Sequence, residues 1–515
     1  MPTPEFFDDD FHAIPDILRL HVGERPDRAA LIQDEREVSY AEFDALADRV
    51  AAGFQRDGLK VGEAIAICAT TSINYLLVYL GALRAGLTVC PLAPSSTPDS
   101  LAGMVADCGA RAFFLDAGVA AEIEPVMGRI AAPTIALDES SAGLAFSAWL
   151  PGPGRTPAPV EIAPDLPFNI IYSSGTTGAP KGIVQPHLMR WMHVRRGFYD
   201  SDAVTLISTP LYSNTTLVSV FPTIARGGTL VLMPRFDVVK FLTLSQQHRV
   251  THAMLVPVQY KRLMEHPDFD RYDLSSYRNK SCTSAPFKAE LKADILKRWP
   301  GGLVEFYGMT EGGGTCRLEA HLNPDKLHTV GKPVEGHEIL LIGEDGRPVV
   351  QGEIGEVVGH SPSIMKGYHN QPAKTAEAEW YDEAGRRFIR TGDVGRFDED
   401  GFLTLMDRKK DMIISGGFNI YPSDLEQVVA AHPDVAEAAV VGVPSDQWGE
   451  TPVGFVALKP GQSADPETIR AWANARLGKT QRLADLQILD SIPRSHIGKV
   501  MKRELRETYV GAAKS

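Results

Sequence analysis

The spacing of apolar residues changes near Lys332 and again near Asp407, so that three parts of the chain predict three kinds of sheet. From about residue 169 to 308, short apolar runs alternate with stretches of helical spacing. The runs lack strict polar–apolar alternation, which is typical of strands buried on both faces of a parallel sheet. We predict such strands at residues 168–172, 204–208, 229–233, 253–256 and 303–306.

Helices are predicted between these strands at residues 238–248 and 288–298, and the stretch from about 39 to 115 repeats the alternation. Strands that alternate with helices predict a mostly parallel sheet with helices on both faces. The most apolar window, residues 73–83, is too short to cross a bilayer, so we interpret it as a buried helix.

After Lys332 the pattern becomes short strands separated by glycine-containing turns, which predicts antiparallel pairing. After Asp407, residues 423–426 form a capping-box pattern, and strand-like runs at 438–443 and 452–458 follow. The predicted fold class is therefore α/β. A large N-terminal domain, residues 1–407, combines mostly parallel sheets flanked by helices with an antiparallel subdomain, and a small α+β domain forms residues 408–515.

The amino-acid composition argues against several classes of binding partner and structural site. The chain has 515 residues, of which 65 are acidic and 52 basic, and the net charge of −13 argues against a nucleic-acid partner. The five cysteines form no CxxC pair, which argues against a zinc site or a disulfide framework and favours a reducing compartment. The acidic N-terminus lacks the apolar core of a signal peptide and the C-terminus carries no targeting signal. We expect a cytoplasmic protein without integral membrane association.

Residues 173–182 carry the strongest chemical pattern. This segment has three glycines, which let backbone N–H groups approach an anion, and four hydroxyl groups, which add donors. It is not a Walker A loop, since Pro180 precedes the lysine and no Ser or Thr follows it. We predict phosphate binding by Ser173, Ser174, Gly175, Thr176, Thr177, Gly178 and Lys181.

This segment resembles the phosphate loop of the adenylate-forming superfamily, which includes acyl-CoA synthetases, peptide-synthetase adenylation domains and beetle luciferases. Five further segments resemble motifs of that family and occur in the family's order. They are residues 83–94, 307–311, 391–393, 407–422 and 498–499. The resemblance therefore covers nearly the whole chain.

The resemblance implies a site for ATP and Mg²⁺. Tyr307 offers a flat face to adenine, and Glu311 offers the oxygen ligand that Mg²⁺ prefers. Asp393 accepts hydrogen bonds from the ribose, and Arg408 adds a permanent cation nearby. The resemblance also assigns Thr310 to the catalytic residues and further residues to the nucleotide site, namely Ser284, Ala285, Pro286, Glu305, Gly308 and Met309.

The implied reaction has two steps. A carboxylate first attacks the α-phosphorus of ATP, with Lys499 as the catalytic cation between the two anions. The small domain is then expected to rotate about Lys410 and to present Gly416 and Gly417 to the pantetheine arm of coenzyme A. The thiol of CoA finally attacks the acyl-adenylate. The expected partners are a carboxylic acid, ATP and CoA, and a homodimer is possible.

The acid-binding pocket is predicted from Tyr212, Ser213, Gly312 and Gly313. The segment 211–217 contains no acidic residue, which argues against an amino-acid substrate. The absence of side chains at Gly312–Gly314 predicts an open pocket floor and an apolar acid of medium length or larger, although these glycines could instead serve backbone geometry alone.

Other functions remain open at this point. The alternatives are a ligase that delivers the acyl group to a carrier protein and an aryl-acid CoA ligase. A peptide-synthetase module is disfavoured because no carrier domain follows residue 515, and a luciferase is disfavoured only because such enzymes are rare. A catalytically inactive nucleotide-binding protein is disfavoured because Glu311, Asp393, Arg408 and Lys499 are all present.

Overall fold

The computed structural model describes residues 4–173, 180–408, 410–415, 418–445, 447–478, 481–495 and 498–512. Its described residues form four sheets. The first has eight strands and is parallel except at the edge formed by its first two members. In spatial order these strands are Gly367–Tyr368, Lys181–Pro186, Pro167–Ser173, Thr88–Pro91, Ala64–Cys68, Phe113–Leu115, Thr134–Ala136 and Leu144–Ala145.

The second sheet has nine strands and is parallel in its centre. In spatial order they are Lys332–Pro333, Thr315–Glu319, Gly302–Gly308, Asn279–Cys282, His252–Leu255, Val204–Ile207, Thr229–Leu232, Ala29–Gln33 and Arg36–Ser39. The strands predicted between residues 168 and 306 are confirmed within two residues at each end, and those predicted at 438–443 and 452–458 are confirmed within three. One difference is that the strand predicted at 168–172 belongs to the eight-stranded sheet, because the chain turns back beside it at Lys181–Pro186.

The third and fourth sheets have five strands each. The third is antiparallel, as predicted, and consists of Glu338–Ile342, Gly355–His360, Glu379–Tyr381, Arg387–Phe397 and Leu403–Arg408. The fourth, in the small C-terminal part, consists of Ile413–Ser415, Phe418–Ile420, Val435–Ser445, Gly449–Leu458 and Asp485–Ile488.

Helices cover the faces of these sheets. The α-helices are Ile14–Glu24, Tyr40–Arg56, Ile73–Arg84, Pro98–Asp107, Ala117–Ile123, Phe146–Trp149, His187–Arg195, Asn214–Ala225, Val238–Gln247, Pro257–Met264, Ala289–Arg298, Pro372–Ala378, Pro422–Ala430, Pro466–Asn474 and Lys502–Ala512. Short 3₁₀ helices are Pro4–Asp8, Glu124–Arg129 and Phe269–Arg271.

The largest apolar core lies between the two large sheets. It joins Ile67 of the eight-stranded sheet to Leu230 of the nine-stranded sheet through helix Ile73–Arg84, every described residue of which is buried except Asn74. The prediction of a buried helix here is therefore confirmed. No helix within the described ranges is long and apolar enough to span a bilayer. All five cysteines are buried free thiols.

The predicted capping box at residues 423–426 is wrong. Pro422 begins the helix, because proline suits the first helical position, and Ser423 therefore lies inside it. The Ser423 hydroxyl donates to Met406 O at 2.6 Å. Glu426 accepts from Val440 N–H and forms an ion pair with Lys502, so both side chains join the helix to neighbouring elements.

Candidate functional site

The predicted phosphate-binding segment connects two paired strands. Ser173 ends strand Pro167–Ser173 and pairs with Lys181, which begins strand Lys181–Pro186. Ser174, Gly175, Thr176, Thr177 and Gly178 lie outside the described residues. The antiparallel pairing nonetheless places the two described ends of the segment side by side at the end of these two strands.

Lys181 and Glu311 meet through Tyr368. The Lys181 Nζ lies 4.9 Å from the centre of the Tyr368 ring, and the Tyr368 hydroxyl donates to Glu311 Oε1 at 2.8 Å. Burial, followed by the nearby Glu311 charge, raises the pKa of the Tyr368 hydroxyl well above its ordinary value. The predicted phosphate-binding lysine and the predicted metal ligand are thus brought into one cluster.

The half-buried Glu311 suits a Mg²⁺ ligand. Its Oε1 is occupied by Tyr368, and Oε2 has no hydrogen bond within the described part of the chain. Mg²⁺ is usually held by one or two carboxylates together with phosphate oxygens and water, so a half-buried carboxylate beside the predicted phosphate-binding segment fits this ion.

Tyr307 and Asp393 are also brought together. The Tyr307 hydroxyl donates to Asp393 Oδ2 at 2.8 Å, which links the nine-stranded sheet to the antiparallel sheet. Burial is the main cause that raises the pKa of Tyr307, and the Asp393 charge adds to it. Asp393 pairs along the strands with Arg408, whose side chain is outside the described residues. Gly308 is exposed, and the half-buried Met309 packs near Ile183.

A buried polar network that sequence analysis did not identify holds Thr310. The Thr310 carbonyl accepts from Gln185 Nε2 at 2.7 Å. The fully buried Arg190 donates to Gln185 Oε1 and, at 2.6 Å, to Asn214 Oδ1. Asn214 directly follows Ser213 at the start of helix Asn214–Ala225. The network therefore couples the segment next to Glu311 with the predicted acid-binding segment.

Ser284 follows a strand of the nine-stranded sheet and contacts the helix that begins beside Ser213. It follows strand Asn279–Cys282, has φ of +83°, and its Oγ is 2.6 Å from Thr215 Oγ1. Ala285 is half-buried and Pro286 is exposed. Tyr212 and Ser213 are half-buried, and burial is the main cause that raises the pKa of Tyr212 to about 12. Ser284 is thus joined to the helix that begins beside Ser213.

Glu305 was predicted to belong to the nucleotide site together with Tyr307 and Gly308, but its surroundings differ from theirs. It is buried and forms an ion pair with Lys292, whose Nζ also donates to Leu327 O at 2.7 Å. Burial raises the pKa of Glu305 to about 7, and the Lys292 charge opposes this shift. Its assignment to the nucleotide site remains a prediction, and its described charge partner belongs to helix Ala289–Arg298.

The prediction that Gly312–Gly314 form an open pocket floor is wrong. A Cβ at Gly312 would lie 1.8 Å from Ser363 O, and one at Gly313 would lie 2.5 Å from Ile389 Cβ. At Gly314 the nearest atom would be Ile339 Cδ1 at 2.4 Å. Neighbouring backbone and core side chains, not an open pocket, occupy this space. These glycines allow the segment after Glu311 to pack closely against the antiparallel sheet.

Lys499 belongs to a tight turn against the large N-terminal part. Gly498 N–H donates to Ser495 O at 2.8 Å, and Ser495 N–H donates to Lys499 O at 2.8 Å. A Cβ at Gly498 would lie 3.1 Å from Val258 Cγ1, in helix Pro257–Met264. Lys499 itself is exposed. The turn is thus in contact with the large part of the chain.

These segments share one edge of the nine-stranded sheet. Four neighbouring parallel strands end at residues 207, 255, 282 and 308. Tyr212, Val258, Ser284 and Glu311 each follow one of those ends. The carboxyl ends of parallel strands commonly form binding sites, and the Lys499 turn lies against the same edge. Lys410 is exposed, and Gly416 and Gly417 lie outside the described residues.

Comparison with known proteins gives consistent matches over both parts of the chain. A family model described as AMP-binding enzyme matches residues 18–369, and one described as AMP-binding enzyme C-terminal domain matches residues 424–499.

Individual relatives match over nearly their whole length. The chain is 32% identical to a feruloyl-CoA synthase of an Amycolatopsis species, over 94% of this chain and 96% of that protein. It is 29% identical to the fatty acid–[acyl-carrier-protein] ligase ScoC of Streptomyces coeruleorubidus, over 96% and 95% respectively. The fold is similar to that of ATP-bound MatB from Rhodopseudomonas palustris, with a TM-score of 0.85 and 28% identity over 96% of this chain and 99% of that one.

Proposed function

We propose, from the premise that this chain belongs to the AMP-binding enzyme family, that it is an AMP-forming ligase which joins an apolar carboxylic acid to coenzyme A. The observation that carries the proposal is the cluster of Lys181, Tyr368 and Glu311. It combines a phosphate-binding cation with a carboxylate suited to Mg²⁺, at the edge against which the Lys499 turn lies.

In the first half-reaction, a carboxylate oxygen of the acid forms a bond to the α-phosphorus of ATP. The bond from that phosphorus to the bridging oxygen breaks, and pyrophosphate leaves. Mg²⁺, when bound, offsets the negative charge of the phosphates. Lys181 and the preceding segment hold the leaving phosphates, while Tyr307 and Asp393 hold the nucleoside. Lys499 stabilises the charge that develops between the carboxylate and the α-phosphate.

In the second half-reaction, the CoA sulfur forms a bond to the acyl carbon and loses its proton. The bond from the acyl carbon to the AMP oxygen breaks, and AMP leaves. We propose that the small domain, residues 408–515, rotates between the two steps. Lys410 suits a pivot because it lies between the last strand of the antiparallel sheet, Leu403–Arg408, and the first strand of the small sheet, Ile413–Ser415.

Substitution of Lys410 by proline is expected to leave ATP–pyrophosphate exchange within about twofold of wild type and to slow CoA-dependent turnover about tenfold or more. Proline fixes φ and so hinders rotation of the backbone at the pivot. The measurement compares the exchange rate with steady-state thioester formation. Lys410→Ala is the matched control, since it removes the side chain but leaves φ variable. Equal slowing of both half-reactions in Lys410→Pro would show that this residue is not the pivot.

The acid is proposed to be apolar and of medium length or larger. The segment 211–217 contains no acidic residue, and Tyr212 presents an aromatic ring there. An ATP–pyrophosphate exchange screen over acetate, fatty, aryl and alicyclic acids tests this proposal. Small acids are expected to react poorly, because each CH₂ that stays in water forgoes about 0.8 kcal/mol. Preference for acetate would contradict it.

The acceptor is tested separately. The similarity to a fatty acid–[acyl-carrier-protein] ligase makes a carrier protein the second candidate. With the best acid, AMP release is measured with CoA, with a phosphopantetheinylated carrier protein and without a thiol. Faster release with CoA supports the proposal, and release stimulated only by the carrier protein would replace it with the alternative.

The domain boundary after residue 407, a cytoplasmic location and a homodimer also remain proposals.

A further inference from the structure

Tyr368 contacts two residues of the proposed site, Lys181 at the start of strand Lys181–Pro186 and Glu311 in the segment after strand Gly302–Gly308. Its hydroxyl donates to Glu311 Oε1 at 2.8 Å, and its ring lies 4.9 Å from Lys181 Nζ. The residue is 8% exposed. One buried aromatic side chain therefore contacts both the carboxylate suited to Mg²⁺ and the cation suited to phosphate.

The backbone fixes both ends of the contact between hydroxyl and carboxylate. Tyr368 pairs with Ile183 on the strand that Lys181 begins, and its N–H donates to Thr375 Oγ1 at 2.9 Å. On the other side, Met365 N–H donates to Glu311 O at 2.8 Å. The hydroxyl is consequently held against Glu311 Oε1, and among the described residues no hydrogen bond engages Oε2.

We propose that Tyr368 is a positioning residue that orients the Glu311 carboxylate toward the metal–nucleotide complex and holds Lys181 beside it. This inference rests on the proposed function and assigns a role to a residue outside the motifs from which the site was predicted. Its basis is that a group which hydrogen-bonds a metal-binding carboxylate sets the orientation of that ligand, and loss of such a group typically weakens metal binding or activity about 10- to 100-fold.

The test begins with Tyr368→Phe, which removes the hydroxyl and keeps the ring near Lys181. Binding of Mn²⁺, as a paramagnetic substitute for Mg²⁺, is measured by electron paramagnetic resonance with α,β-methylene-ATP present. We expect the Mn²⁺ Kd to rise about 10-fold. The Mg²⁺ concentration for half-maximal ATP–pyrophosphate exchange should rise by a similar factor, while kcat at saturating Mg²⁺ stays near that of wild type.

Tyr381→Phe is the matched control, because the exposed Tyr381 also donates to a carboxylate, Glu379 Oε2, at 2.9 Å. It should change neither measurement. In a Glu311→Gln background, Tyr368→Phe should add little further loss of Mn²⁺ binding, since both changes act on the same ligand.

An unchanged Mn²⁺ Kd in Tyr368→Phe would overturn the inference, as would an equal loss of exchange at every Mg²⁺ concentration. Additive losses in the double variant would overturn it as well. The Mn²⁺ measurement tests Tyr368 independently of turnover. Failure of wild type to exchange pyrophosphate with any acid would contradict the proposed function, not this role of Tyr368.

Discussion

Replacement of Lys499 by alanine is expected to lower ATP–pyrophosphate exchange by at least about 100-fold, the scale seen when one donor to transition-state charge is removed. Attack of a carboxylate on ATP brings two anions together, and a cation at the reacting atoms lowers that repulsion. The Lys499 turn lies against helix Pro257–Met264, which begins at the edge of the sheet where the proposed site lies. Thioester formation from supplied acyl-adenylate should fall much less, because that step has no attack on ATP.

The matched control is Lys459→Ala, which removes another exposed lysine of the small C-terminal part. Lys459 Nζ donates to Pro433 O within that part, so its loss should leave both half-reactions near wild type. Comparable loss of both half-reactions in Lys499→Ala would contradict the assigned role, and so would full exchange activity in that variant.

Substitution of Gly312 by alanine is expected to destabilise the protein by about 3 kcal/mol or more, a range reached when a substitution forces backbone to move. The new Cβ would lie 1.8 Å from Ser363 O, and φ at this residue is +83°, where side chains are strained. Gly312 N–H also donates to Met309 O at 3.0 Å, so relief of the clash would disturb the segment that carries Glu311. The measurement is the urea midpoint of unfolding, together with pyrophosphate exchange in the folded protein.

The control variant Gly346→Ala separates the effect of backbone strain from the effect of the steric contact. Gly346 has φ of +76°, close to that of Gly312, but a Cβ there would meet nothing within 4 Å. It should therefore lose only about 1–2 kcal/mol, from the left-handed backbone alone. Equal destabilisation by the two substitutions would show that the contact with Ser363 O is unimportant. For Gly313→Leu we likewise expect instability, and not a change of acid preference, since a Cβ at Gly313 would lie 2.5 Å from Ile389 Cβ.

Strands and buried helices were predicted closely because their determinants are local. A run such as residues 229–233 is apolar on both faces, and that pattern is enough to predict a strand buried between layers. The helix at residues 73–83 was likewise evident from its continuous apolar character. Helix starts were less predictable. Ser423 suits the position just before a helix as well as a position in its first turn, and Pro422, which begins the helix, places it in the first turn.

Sequence by itself determined the family and the chemical types at the site, since motif residues such as Glu311, Asp393 and Lys499 lie in short segments whose order is visible in the chain. It could not determine which residues meet across long separations. Tyr368 is 57 residues from Glu311, and a Gly–Tyr pair alone has no pattern that predicts this contact.

Only the tertiary structure showed which role the glycines after Glu311 have. Gly312 and Gly313 have the same sequence appearance whether they border an open pocket or packed backbone. Only the positions of Ser363 O, which follows strand Gly355–His360, and of Ile389, in strand Arg387–Phe397, distinguish the two cases. The physical reason is that residue type and spacing specify local conformation and burial, whereas the space beside a residue is set by elements distant in the chain.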